Sequence, residues 1–100
     1  MKTTINAIHF TADQRLVDFA TKKVGKLDTF FDGIISAEVN LKVLKPETSN
    51  NKVVELKLSI PLKDYLFAKK QADSFEEAVD LAVDAVRRQL ARFKEKLKEK

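Results

Sequence analysis

Residues 87–100 concentrate the charge that this chain has available for chemistry. They hold seven basic side chains (Arg87, Arg88, Arg92, Lys94, Lys96, Lys98 and Lys100) against Glu95 and Glu99, a net charge of +5. The whole chain of 100 residues carries +4, so everything before Arg87 sums to −1. A near-neutral body with a basic end predicts a local contact with a polyanion. Lys22, Lys23 and Lys26 form a second basic cluster. Guanidinium groups bind phosphate bidentately and ammonium groups act as point charges, so clusters of both suit a phosphate backbone. Two other readings of the charge stay open. Cations near a helix C-terminus complement its dipole and aid solubility, and a basic face also fits an acidic protein.

The remaining candidates for chemistry are weaker. Asp73, Glu76, Glu77, Asp80 and Asp84 cluster in one stretch. Carboxylates in pairs serve general acid–base work or metal binding. Acids at a helix start also meet the positive end of the dipole, and that reading is preferred. His9 is the lone histidine and has no sequence-adjacent partner, so it reads as a strand side chain rather than a base. There is no Gly-rich phosphate loop and no Gly-x-Ser-x-Gly. The absence of cysteine excludes disulfides and thiolate sites, and one histidine without cysteine argues against zinc. The chain is expected to be no enzyme, with no cofactor and no small-molecule substrate.

These side chains need a scaffold. With 44% hydrophobic and 34% charged residues, 100 residues are expected to form one domain, 1–100, around one core. No apolar run is long enough to span a membrane. Met1-Lys2-Thr3-Thr4 does not begin an apolar signal segment, so a cytoplasmic protein without membrane contact is expected.

Residues 3–10 (TTINAIHF) read as a first strand. Thr11 and Gln14 have capping-box spacing, and Leu16, Ala20, Val24, Leu27 and Phe31 then form one helix face. Gly25 inside this helix suggests a close approach to the sheet, and Gly33 a left-handed helix end. Residues 35–45 alternate, with Ala37, Val39, Leu41 and Val43 on one face. A polar loop (46–51) leads to a second alternating strand, 52–60, and the two form a hairpin. Pro61 ends it. Residues 65–72 read as a fourth strand whose alternation is too weak to assign faces. Ser74 and Glu77 repeat the capping-box spacing. Phe75, Val79, Ala82, Val86, Leu90, Phe93 and Leu97 then mark a helix of about 23 residues, roughly 35 Å long. It outruns a four-stranded sheet, so its last turns should project.

The order β-α-β-β-β-α predicts an α+β two-layer sandwich: a four-stranded mixed sheet with both helices on one face. The other face should be open and polar. At 100° per residue, Arg88 and Arg92 point away from the sheet, with Arg87, Lys94 and Lys98 flanking them. Side-by-side packing of the helices brings Lys22, Lys23 and Lys26 alongside. Tyr65 and Phe67 are the candidate stacking aromatics, but no run of the kind that stacks single-stranded bases is present. Recognition of folded RNA by shape and phosphate pattern is expected.

Two stretches carry a resemblance. ATKKVGKLDTFFDGI (20–34), with Lys23, Lys26-Leu27 and Phe31-Asp32, and DSFEEAVDLAVDAVRRQLARFKEKLKEK (73–100), with Arg88-Gln89-Leu90, Arg92, Lys94 and Lys96-Leu97, resemble the two helices of the ribosome hibernation-promoting factors. These are also described as ribosome-associated inhibitors or sigma-factor modulation proteins. The resemblance runs over nearly the whole chain and implies a fold related to double-stranded-RNA-binding domains. It implies binding to the small ribosomal subunit between head and body, over the mRNA and tRNA path, silencing ribosomes in starved or stationary cells. By position it carries Lys23, Lys26, Arg88, Arg92, Lys94 and Lys96 over as contacts to ribosomal RNA phosphates. Lys22 and Arg87 are added from charge alone. Ala85 stands where some members carry a basic residue and Arg87 brings a charge elsewhere, which implies a footprint shifted by a turn. The chain resembles the short form of the family, which assists or opposes ribosome pairing. A sigma-factor regulator and a non-ribosomal RNA-binding protein are the alternatives. The free protein is expected to be a monomer.

Overall fold

Strict alternation through the middle of the chain sets the sheet. In this computed structural model, residues 1–45 and 49–98 are described. Pro46, Glu47 and Thr48 of the expected loop, and Glu99 and Lys100 of the basic end, lie outside the described residues. Strand β2 (Ser36–Val43) buries Ala37, Val39 and Leu41, and β3 (Lys52–Ile60) buries Val54, Leu56, Leu58 and Ile60. The two pair antiparallel, with Val39 opposite Leu56 and Leu41 opposite Val54. Strand β1 (Lys2–Ala7) runs parallel to β2, and β4 (Lys63–Ala72) antiparallel to β3. The order β1-β2-β3-β4 leaves β1 and β4 at the edges of the expected mixed sheet. The faces of β4 now separate: Leu66, Ala68 and Ala72 are buried, while Tyr65, Phe67 and Lys69 are exposed.

Helices α1 (Gln14–Gly25), α2 (Leu27–Phe30) and α3 (Phe75–Lys98) close one side of this sheet. Leu16, Ala20, Val24 and Leu27 join Ala78, Val79, Ala82, Val86, Leu90 and the inward strand residues in one core cluster. A fully buried Val or Leu contributes about 1.5–3 kcal/mol, so the apolar stripe of each helix is what docks it. Ser74 Oγ accepts the Glu77 N–H at 3.1 Å, as the capping spacing predicts.

Four local expectations change. The first strand stops at Ala7, because His9 takes φ +64, which extended pairing does not allow. Helix α1 is capped by Asp13 rather than Thr11: Asp13 Oδ1 accepts the Arg15 N–H at 2.7 Å. Asp outranks Thr at this position, and Gln14 donates instead to Asp18 at 2.8 Å. The helix expected to run to Phe31 breaks after Gly25, and the four-residue α2 follows. A Cβ on Gly25 would meet nothing within 4 Å, so no close approach to the sheet requires it. Its poor helix propensity suits the break. Gly33 does take a positive φ of +101, but beyond the α2 C-cap Phe31, where it turns the chain into β2.

These two glycines should therefore respond oppositely to alanine. Gly25→Ala is expected to stabilise the protein by about 0.5–1 kcal/mol. Gly33→Ala should cost about 1–2 kcal/mol, because a Cβ disfavours the left-handed region. Urea denaturation of both variants checks the pair of signs.

Helix α3 has 24 residues, about 36 Å at 1.5 Å each, in a molecule of 51 × 22 × 19 Å. Its full burial ends at Leu90. Phe93 is half-buried and meets Phe31 edge-on, with ring centroids 5.8 Å apart. Leu97, expected on the core stripe, is 39% exposed. The sheet has ended by then, so the helix carries its stripe past the layer that would bury it. Among the described residues, no helix is long and apolar enough to cross a membrane.

Candidate nucleic-acid interface

The overhang and the helix phase divide the basic residues of α3 into two rows. Arg88, Arg92 and Lys96 follow at steps of four and are all exposed. Arg92 and Lys96 line a shallow groove of about 300 Å³ with Leu66, Gln89 and Phe93, on the β4 side of α3. Arg87 and Lys94 are seven residues apart on the other flank, facing α1 and α2. There Arg87 joins Lys23 and Lys26 around a cleft of about 260 Å³ that Leu27, Phe30 and Val83 floor. The clusters of the two long helices thus meet at Lys23, Lys26 and Arg87. Lys22 is exposed but is not part of this cleft. Lys94 is half-buried and donates to the Phe30 carbonyl at 3.0 Å.

Two acids sit among these cations. Asp84 accepts from Arg87 at 3.3 Å and from Arg88, and Asp80 pairs with Lys23 at 3.3 Å. The dipole reading of the acidic cluster holds for Glu76 and Glu77, which lie in the first turn. It fails for Asp80 and Asp84, because the dipole effect fades after that turn. Those two are counter-ions of the basic surface. The Arg88 guanidinium first, and Arg87 second, hold the Asp84 carboxyl below its ordinary range. The carboxylate's stabilising pairing is therefore complete at neutral pH and is lost as the pH falls through that lowered value. Lys22, Lys26, Arg92 and Lys96 form no ion pair among the described residues, so their charge is available to a ligand.

Asp84→Asn should free two guanidiniums. For a phosphate-bearing ligand the expected result is binding severalfold tighter, with a log–log salt slope steeper by about one. Fluorescence anisotropy of a labelled structured RNA at several salt concentrations reads both. Unchanged affinity and slope would mean that Arg87 and Arg88 lie off the binding surface.

Phe30 was not among the expected site residues. Its ring centroid lies 4.7 Å from Lys94 Nζ and 5.9 Å from Arg87 Cζ, so it braces both cations of the inner row. A cation over an aromatic face gains about 0.5–1 kcal/mol at an exposed site. The adjacent Phe30-Phe31 pair was the available signal, because Phe31 alone fits the helix stripe. His9 stands apart from this surface: it is exposed and borders a hollow with Phe10, Lys42 and Leu44.

A mixed four-stranded sheet with its helices on one face, one of them long, basic and overhanging, defines a known class of small α+β domain. The N-terminal domain of Protein Y from Thermus thermophilus has this fold, with a TM-score of 0.78 at 23% identity over 93% of this chain and 99% of that one. So does a ribosomal subunit interface protein from Coxiella burnetii, with a TM-score of 0.83 at 19% identity over 94% and 98%. In sequence, the family described as Sigma 54 modulation protein / S30EA ribosomal protein matches residues 3–98, and the chain belongs to that family. It is 28% identical over 101 residues to the ribosome hibernation promotion factor of Bacillus subtilis (strain 168), covering all of this chain and 52% of that protein. It is 26% identical over 97 residues to the ribosome hibernation promotion factor of Staphylococcus aureus (strain COL), covering 96% of this chain and 50% of that protein. The chain spans about half the length of these relatives.

Proposed function

We propose that this protein binds the small ribosomal subunit and silences translation by occupying the mRNA and tRNA channel, in the cytoplasm of starved or stationary cells. The observation that carries this reading is the two-helix basic surface. Lys23, Lys26 and Arg87 share one cleft, and the exposed row Arg88, Arg92 and Lys96 runs beside it. Similarity to the ribosome hibernation promotion factors of Bacillus subtilis and Staphylococcus aureus supports it. Lys94 shares the Phe30 ring with Arg87 and adds charge to this surface, and the exposed Lys22 is included from charge alone. The mechanism is steric. Phosphate contacts hold the domain in place, the body fills the channel, and no bond is made or broken.

Binding through charge has a measurable signature. Six phosphate contacts predict a log–log salt slope of about −4 to −5. The protein should co-sediment with purified small subunits at low salt and detach as salt rises. Folded protein that stays at the top of the gradient at low salt would overturn the proposal. Equal affinity for random duplex RNA and for small subunits would favour a non-ribosomal RNA-binding role. Binding to a sigma factor that survives removal of the basic row would favour a protein-interaction role.

A further inference from the structure

The helical surface leaves the opposite face of the sheet unused. Tyr65 and Phe67 stand there, 47% and 44% exposed, while Leu66 between them is 5% exposed on the core side. We propose that the outer face of β3 and β4 is a stacking platform for a short single-stranded nucleic acid segment, separate from the helical phosphate-binding surface.

Residues two apart on a strand share a face and lie about 7 Å apart. Two flat rings at that spacing suit successive unpaired bases, and stacking tolerates any sequence because every base presents a π-face. Charge complementarity selects a nucleic acid as the occupant. Lys57 lies opposite Phe67 in register, and its Nζ is 4.8 Å from the Tyr65 ring centroid. Lys69 follows Phe67 on the same face and is exposed. Neither lysine forms an ion pair among the described residues, so both ammonium groups can meet phosphates beside stacked bases. Three carboxylates stand near this face. Glu55 lies opposite Lys69 in register and is paired with Lys42 at 3.2 Å. Glu38 of β2 lies opposite Lys57 in register and accepts from Asn6 Nδ2 at 3.5 Å. Asp64 adjoins Tyr65 where the register between β3 and β4 shifts, and it is exposed.

The platform is also held still. Gln89 of α3 donates through Nε2 to the Phe67 carbonyl at 2.8 Å, and its Oε1 accepts the Phe67 N–H at 3.4 Å. This amide takes the place of a neighbouring strand at the open edge of β4. It fixes Phe67 before any ligand arrives, which lowers the ordering cost of binding. It also blocks strand addition at that residue, which disfavours a second copy pairing along this edge.

The chain carries a built-in reporter, since Tyr65 is its one tyrosine and there is no tryptophan. Titration of the full chain with single-stranded octauridylate should quench tyrosine fluorescence saturably, and a duplex of equal length should not. Phe67→Leu should weaken octauridylate binding by roughly five- to tenfold. Tyr65→Leu, read by anisotropy of the labelled oligonucleotide, should match it. The double variant Arg92→Ala/Lys96→Ala should leave the quenching within about twofold, and Tyr65→Leu/Phe67→Leu should still co-sediment with small subunits. Failure of the sheet site is thereby separable from failure of the helical site. No quenching, or equal quenching by the duplex, overturns the proposal. So does a concentration-dependent dimer dispersed by Phe67→Lys, because the face would then serve a second copy of this chain.

Discussion

Small subunits incubated with the triple variant Arg88→Ala, Arg92→Ala, Lys96→Ala should leave it at the top of a sucrose gradient. The three side chains occupy one exposed row of α3. Two of them form no ion pair among the described residues, and Arg88 shares Asp84 with Arg87. If each phosphate contact contributes about 1 kcal/mol net, affinity falls on the order of a hundredfold. The salt slope should also flatten by about two to three. The fold should survive, because none of the three packs into the core and alanine is the best helix former. Circular dichroism of the variant checks that point. Full retention of binding would move the interface to the Lys23, Lys26 and Arg87 cleft.

Leu90→Ala and Leu97→Ala should differ sharply in stability, although both residues lie on the same stripe of the same helix. Leu90 is 0% exposed and Leu97 is 39% exposed. Truncating a fully buried leucine removes its transfer energy and leaves a cavity, at a cost of about 2–5 kcal/mol. In a domain of this size that lowers Tm by roughly 10–30 °C. Truncating Leu97 leaves no enclosed cavity and should cost under about 1 kcal/mol. Differential scanning calorimetry of the two variants decides the matter. Similar losses would mean that the end of α3 is packed more tightly than its exposure indicates.

The sheet was legible because residues 36–60 are half-buried strands, where one apolar face and one polar face produce a period of two. The strand β4 was legible too, but its faces were not, because its outward face carries Tyr65 and Phe67. Apolar residues on both sides hide the period. The break after Gly25 was hidden for a related reason. Leu27 keeps the helical phase of Leu16, Ala20 and Val24 across the break, so the pattern reads through it. Asp80 was legible as an acid near a helix start, but its partner Lys23 lies on another helix; Asp84 precedes Arg87 and Arg88 by three and four residues, the spacing at which helix neighbours pair.

By itself the sequence determined the order of the four strands and the two long helices, the apolar stripes, and the excess of positive charge on the last helix. These are local properties, set by residue type and by the periods of helix and strand. Tertiary structure alone decided how that charge is grouped. It brought Lys23 and Lys26 of one helix end against Arg87, set Phe30 under Arg87 and Lys94, and held Asp80 as the counter-ion of Lys23. It also turned Tyr65 and Phe67 outward and left Leu97 beyond the sheet. Each of these depends on what stands opposite a side chain across the packed layers. The distances involved run between residues far apart along the chain, and no local period encodes them.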